Sequence, residues 1–188
     1  MSFSIAEKIT EKLEASQIIN SEDKELYTYG LVQGFSIIIS IAITAIIGTI
    51  FRMIVDVIFF TIAFIPLRLY AGGYHAKTQV RCYVFSIVMI TAVLLGIRLI
   101  PWNDYICFIV ALGAGSIIVS LAPVEDSNKP LDQKEKAVYK RRTYVVLGIL
   151  TALILAFWFM GLHQTSVCII MALTVLAFML VLGKIKIL

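Results

Sequence analysis

The chain has 188 residues, of which 60% are hydrophobic and 15% charged, and its net charge is +4. Soluble domains carry about 25% charged residues, so this chain has too few polar side chains to cover a water-soluble globule. Disordered, collagen-like and disulfide-scaffold proteins are excluded by the same numbers. The composition and a mean hydropathy of +0.95 predict a membrane protein with several spanning segments.

Residues 1–29 contain no apolar run long enough for the core of a signal peptide, so we expect no cleavage. Apolar residues recur there at helical spacing, namely Phe3, Ile5, Ala6, Ile9 and Leu13. This pattern predicts an amphipathic helix that lies on the membrane surface or packs on the cytoplasmic face of the protein. Asn20 or Ser21, followed by Glu22 and Asp23, is the candidate cap of the next helix.

Six apolar stretches follow, at 30–51, 53–70, 80–100, 104–123, 143–162 and 165–183. Each approaches the ~20 residues that cross a hydrocarbon core. Only Arg52 separates the first two, which therefore require a tight hairpin. Pro66 and Arg68 interrupt the end of the second, and predict a kink or an early exit from the membrane there. We expect an all-α bundle of about six transmembrane helices, with residues 1–29 as an interfacial segment and 30–188 as the transmembrane domain.

The distribution of basic residues predicts the orientation of the chain. Of the 16 Lys and Arg residues, all but Arg52 and Arg98 fall in the N-terminal segment, the second and fourth loops, and the C-terminus. The positive-inside rule places these regions in the cytoplasm, so both termini and the loops near 68–81 and 124–142 are expected there. Because the basic residues lie between apolar runs, they indicate orientation, and nucleic acid is not an expected partner.

The fourth apolar stretch contains a cluster of small residues: Ala111, Gly113, Ala114, Gly115 and Ser116. Small residues let transmembrane helices approach closely. The cluster indicates packing inside the bundle, and a homodimer interface is the alternative.

The second loop contains a histidine and a cysteine seven residues apart, in RLYAGGYHAKTQVRCYVFS at 68–86. An imidazole such as His75 is suited to convert a Cys82 thiol to thiolate at neutral pH. On one straight helix the pair would be about 10.5 Å apart along the axis. A dyad therefore requires His75 to fold back on a loop, which Gly72 and Gly73 permit. The alternative is an interfacial histidine and an unreactive cysteine that happen to share a loop.

Cys82 differs from the other two cysteines in its surroundings. If the third span begins near Gln79, Cys82 lies in its first turn, where free backbone N–H groups favour a thiolate. Cys107 and Cys168 lie inside apolar runs, where sulfur most often serves as packing. Three cysteines make an odd number, which argues against a fully paired disulfide framework.

Other polar residues are weaker candidates for a site. One histidine and one cysteine are too few for a metal site, and His163 belongs to an external turn. Asp56 is an intramembrane carboxylate, which makes it a functional candidate by default. An interfacial ion pair with Arg52, four residues away, is the interpretation that we favour, and Arg98 and Asp104 suggest a similar pair.

The fourth loop reads APVEDSNKPLDQKEKAVYKRR, at 122–142. Pro123 and Pro130 are expected to stop helices, and the basic cluster at 140–142 is expected to anchor the chain to anionic lipid. Glu125, Asp126 and Asn128 lie on the same predicted side as His75, and any of them is placed to orient the imidazole.

The combination of RLYAGGYHAKTQVRC with APVEDSNKPLDQKEK closely resembles the accessory gene regulator B (AgrB) family, membrane peptidases of Gram-positive quorum sensing. The resemblance covers nearly the whole chain. It implies that Cys82 is the nucleophile and His75 its partner, with Arg68, Gly72 and Gly73 supporting the active site. No third catalytic residue is carried over, and Glu125, Asp126, Asn128 and Lys129 remain candidates to orient His75 or to contact substrate.

The resemblance implies that the protein lies in the plasma membrane of a bacterium. It also implies that the substrate is a precursor peptide of the AgrD type. Cys82 would cleave off its C-terminal tail through a thioester, and a Cys or Ser of the peptide would close a thiolactone or lactone ring. No cofactor or metal is implied. The alternative is a small non-enzymatic transporter or scaffold in which the His and Cys of the loop are structural.

Overall fold

A computed structural model describes residues 2–73, 79–124 and 132–187. In these ranges the chain forms seven α-helices and one short 3-10 turn, Ser21–Asp23, and no strand. The helices are α1 (Ser2–Ala15), α2 (Lys24–Ile50), α3 (Ile54–Ala71), α4 (Gln79–Leu99), α5 (Asp104–Leu121), α6 (Gln133–Phe159) and α7 (His163–Ile187). Six of them, α2 to α7, are long and apolar enough to cross a membrane. The predicted all-α bundle with an additional N-terminal helix is confirmed.

The chain divides into two compact units, Met1–Ile46 and Ile47–Leu188. In the first unit, the amphipathic α1 turns Ala6 and Thr10 inward. The hydroxyl groups of Thr10 and Thr28 are hydrogen-bonded at 2.9 Å, and the Lys24 ammonium lies 2.8 Å from the Glu14 carboxylate. The hydrogen bond from Lys24 lowers the pKa of Glu14. These contacts fix α1 against the first turns of α2.

The turn between α2 and α3 is the tight hairpin that the sequence requires. Arg52 has φ 57°, in the left-handed region. Its N–H donates to Thr49 O at 3.0 Å, and the N–H of Met53 donates to Gly48 O at 2.8 Å, so the last carbonyls of α2 are satisfied. Further on, α3 continues through Pro66 as far as Ala71.

In the second unit, α7 is the central helix, and α3, α4, α5 and α6 all contact it. Its side chains are buried on every side, including those of Cys168, Leu173, Leu176 and Leu180. The surrounding helices instead expose many large apolar side chains, as expected for surfaces that face lipid.

The sixth helix begins ten residues before the apolar stretch that predicted it. Asp132 caps α6 in a capping box with Glu135, and the helix runs from Gln133 to Phe159. A 27-residue helix is about 40 Å long, which exceeds the ~30 Å hydrocarbon core. Residues 133–142, expected as part of a loop, are therefore charged helical turns at the end of a span. Hydropathy locates only the apolar part of this helix, whereas the start of the helix is set by the cap at Asp132.

Candidate functional site

Cys82 lies in the first turn of α4, which begins at Gln79 as predicted. The first four N–H groups of a helix have no partner within it, and Cys82 is the fourth residue of α4. Its side chain is exposed, whereas Cys107 and Cys168 are buried, and all three are free thiols. The predicted difference between the three cysteines is confirmed.

The two loops that carry the candidate motifs are joined at their first residues. Gly72 and Val124 form an isolated parallel β-bridge. The N–H of Val124 donates to Ala71 O at 2.9 Å, and the N–H of Gly73 donates to Val124 O at 3.3 Å. The ends of α3 and α5 are therefore joined through Ala71, Gly72, Gly73 and Val124. Pro123, predicted to stop a helix, lies two residues beyond the end of α5.

Both glycines are required by this geometry. Gly72 has φ +72° and Gly73 φ +113°, a region that side-chain-bearing residues rarely adopt. A Cβ on Gly72 would lie 2.1 Å from Val124 O. A Cβ on Gly73 would lie 2.6 Å from Arg68 Nη1 and 3.1 Å from the carbonyl oxygen of Met179 in α7. The sequence predicts that these glycines permit the loop to fold back, and the structure shows that they also allow close packing.

Arg68 contributes to the same point from the last turn of α3. Its guanidinium donates a hydrogen bond to the carbonyl oxygen of Gly72. Because the N–H of Gly72 also donates to Arg68 O at 3.1 Å, the turn at the end of α3 is held from both sides. Arg68, Gly72, Gly73 and Val124 are therefore linked by one set of hydrogen bonds.

Several predicted site residues lie outside the described residues. They are His75, Glu125, Asp126, Asn128 and Lys129, and the helix stop expected at Pro130 also lies outside the described residues. Their assigned roles remain predictions. In the described ranges, no group of three or more His, Cys, Asp or Glu could hold a metal ion.

An aromatic contact that the sequence analysis missed joins α3 to α6 near this point. The rings of Tyr70 and Tyr139 meet edge to face with centroids 6.2 Å apart. The guanidinium of Arg142 lies 5.4 Å from the Tyr70 centroid, a cation–π distance. Arg142 belongs to the basic cluster that is expected to anchor the chain to lipid. The structure adds its contact with the Tyr70 ring. No sequence spacing pairs residue 70 with residues 139 and 142.

At the opposite end of α3, the predicted ion pair of Asp56 with Arg52 is wrong. Asp56 is buried and accepts a hydrogen bond from Gln164 Nε2 at 2.7 Å and one from Cys168 Sγ at 3.4 Å. Both partners lie on α7, which packs against α3, whereas the turn at Arg52 carries its side chain to the surface. Nor does an ion pair join Arg98 to Asp104 in the described part of the chain.

Comparison with known proteins supports the motif assignment. Residues 6–180 match the family model described as accessory gene regulator B. The chain belongs to the AgrB family. An AgrB-like protein 2 of Clostridium perfringens (strain 13, type A) is 25% identical over 156 residues, which cover 77% of this chain and 72% of the relative. An AgrB-like protein of Clostridium perfringens (strain SM101, type A) has the same identity and coverage. No solved structure matches the chain.

Membership of the AgrB family confirms the resemblance that the two motifs indicated. The family is involved in processing within agr quorum sensing, and is linked to the autoinducer precursor. The six apolar helices and the membership of this family indicate a multi-pass membrane protein.

Proposed function

We propose that this AgrB-family protein is a cysteine endopeptidase of the bacterial plasma membrane. In this proposal it removes the C-terminal tail of an AgrD-like precursor peptide on the cytoplasmic side and promotes closure of the product into a thiolactone or lactone. The observation that carries the proposal is the placement of Cys82. It is the one exposed cysteine of three, and it lies in the first turn of a helix.

The contact between Gly73 and Val124 supports Glu125 as a group that orients His75. His75 follows Gly73 by two residues, so chain connectivity alone keeps its Cα within about 7.6 Å of the Gly73 Cα. Glu125 follows Val124 directly in the sequence, and Val124 is bridged to Gly72. A carboxylate and an imidazole in two segments that are bridged in this way are suited to the roles of orienting group and base.

The proposed reaction has two acyl transfers. The Cys82 thiolate attacks the carbonyl carbon that precedes the tail, and the C–N bond breaks as protonated His75 donates its proton to the departing amine. The resulting thioester is then attacked by a Cys or Ser side chain of the peptide, whose proton returns to His75. The Cys82 thiolate leaves and the ring closes. Neither step consumes water, and a site at the membrane interface helps to exclude it.

The alternative function, a small transporter or scaffold, requires ionisable side chains that face a common cavity in the membrane. Asp56 is a buried carboxylate of the described spans, and its Oδ1 accepts hydrogen bonds from Gln164 and Cys168. Their hydrogen bonds give Asp56 a structural role, which favours the enzyme.

The test compares Cys82→Ser with Cys107→Ser and Cys168→Ser, each co-expressed with the cognate precursor peptide. A hydroxyl is far less acidic than a thiol, so Cys82→Ser should lose nearly all tail cleavage while the two buried-site controls retain it. A precursor that lacks its internal Cys or Ser should accumulate as an adduct on Cys82 that hydroxylamine releases. Wild-type cleavage by Cys82→Ser, or an adduct on another residue, would refute the proposal.

A further inference from the structure

A second candidate site lies at the end of the bundle opposite Cys82. An open cavity of about 550 Å³ is formed where the α2–α3 turn, the end of α4 and the α6–α7 turn meet. Its polar and aromatic lining consists of Phe51, Arg52, Arg98, Trp102, Trp158, His163 and Gln164. Along α4, Arg98 follows Cys82 by sixteen residues, a rise of about 24 Å. The cavity is therefore separate from the proposed peptidase site.

The cavity is cationic. The side chains of Arg52 and Arg98 line it and are exposed, and no carboxylate is part of its lining. Asp56, the nearest acidic residue along the chain from Arg52, is turned inward onto Gln164 and Cys168. Among the described residues neither arginine has an ion-pair partner. Two guanidinium groups are thus left available to an external anion.

The backbone at Arg52 has a conformation that arginine uncommonly adopts. Its φ of 57° belongs to the left-handed position after a helix, which glycine or asparagine normally occupies. An arginine is an uncommon residue at such a position, and its side chain makes no ion pair that would compensate within the described chain. Arginine differs from glycine and asparagine at this position by the positive charge of its side chain.

The remaining walls suit an amphiphile at the edge of a bilayer. Trp102 and Trp158 are half-buried, and Trp102 is fixed by its indole N–H, which donates to Gly96 O at 3.1 Å. Trp158 packs edge to face on His163 at 4.4 Å. Tryptophan is enriched at the level of lipid headgroups, and the neighbouring Ile50 and Leu99 are each 72% exposed, which marks lipid-facing surface.

We propose that this cavity binds the headgroup of an anionic phospholipid, with Arg52 and Arg98 contacting its phosphodiester and the two tryptophans its glycerol region. The planar guanidinium matches phosphate oxygens in a bidentate manner, and basic pockets between spanning helices are suited to anionic headgroups. This site is distinct from the basic cluster at 140–142 and does not depend on the proposed peptidase activity.

The test measures lipid binding by the full-length protein in mild detergent, using native mass spectrometry with added phosphatidylglycerol or phosphatidylcholine. Arg52→Asn combined with Arg98→Gln removes both charges, and asparagine tolerates the left-handed backbone at 52. Phosphatidylglycerol affinity should fall about tenfold or more in this variant. Lys12→Gln combined with Lys134→Gln removes two exposed charges elsewhere and should bind as the wild type does.

Three results would overturn the proposal. They are equal phosphatidylglycerol binding by the wild type and the neutral variant, equal binding of phosphatidylcholine and phosphatidylglycerol by the wild type, and displacement of bound lipid by an equal concentration of glycerol 3-phosphate. The last result would assign the cavity to a soluble anion. If the neutral variant does not fold, Arg52→Lys with Arg98→Lys keeps the charge but loses the bidentate geometry. That variant should bind phosphatidylglycerol more weakly than the wild type, and unchanged affinity would also refute the proposal.

Discussion

Gly72 lies so close to Val124 that a Cβ on the glycine would be 2.1 Å from the valine carbonyl oxygen. The neighbouring hydrogen bonds, from Val124 N–H to Ala71 O and from Gly73 N–H to Val124 O, close a short ladder between two segments that are about fifty residues apart in the chain. One described backbone contact therefore joins the two motifs that characterise the family in this sequence. Its removal is the most direct test of whether the motifs act together.

Gly72→Ala should separate the two segments, because neither the positive φ nor the backbone of Val124 can accommodate a methyl group. We expect a loss of at least about 2 kcal/mol in the free energy of unfolding and loss of precursor cleavage, measured by thermal unfolding in detergent and by a co-expression cleavage assay. Gly113→Ala is the matched control, since nothing lies within 4 Å of its Cβ position. It should change stability by less than about 1 kcal/mol. Wild-type cleavage by Gly72→Ala would show that the contact is dispensable.

Asp56 should be coupled energetically to Gln164 and not to Arg52. Asp56→Ala leaves the Gln164 amide and the Cys168 thiol without their acceptor, and should lower the free energy of unfolding by about 1–3 kcal/mol. A double-mutant cycle with Gln164→Ala should give a coupling energy of about 1 kcal/mol. The cycle with Arg52→Asn should give a coupling energy near zero. Coupling to Arg52 as large as that to Gln164 would restore the ion pair that the sequence suggested.

His75→Ala should slow alkylation of Cys82 at neutral pH, because the imidazole is the proposed base that produces the thiolate. Since Cys107 and Cys168 are buried, a water-soluble maleimide should modify Cys82 selectively in the folded protein. The measurement is the alkylation rate between pH 6 and 9, with His163→Ala as the control histidine at the far end of α7. Superimposable rate profiles for the wild type and His75→Ala would mean that the two side chains do not meet.

The charge distribution predicts that both termini and the N-terminal turns of α6 face the cytoplasm. Single cysteines at Ser2, Lys134 and Lys186, introduced into a chain with its three native cysteines replaced by serine, should react with an impermeant label only after the cells are opened. A cysteine at His163, in the exposed first turn of α7, should react in intact cells. Labelling of Lys134→Cys in intact cells would place Cys82 on the external side.

Features that depend on local chain properties could be predicted from the sequence alone. Hydropathy located six spans, and the requirement for a hairpin at Arg52 followed from the absence of a loop there. The first turn of α4 and the contrast between Cys82 and the two buried cysteines could also be predicted, since both follow from where apolar runs begin and end. The paired motifs were sufficient to indicate the AgrB family.

Which residues contact each other depends on how the helices pack. Asp56 and Gln164 are 108 residues apart, and only the packing of α3 on α7 chooses Gln164 over the nearby Arg52 as a partner. The Gly72–Val124 bridge likewise joins the ends of two helices that the sequence treats as independent. Spans in a membrane are apolar on all sides, so hydrophobic periodicity does not show which face is buried. That choice depends on shape and on hydrogen bonds between distant residues, and these exist only once the helices are assembled.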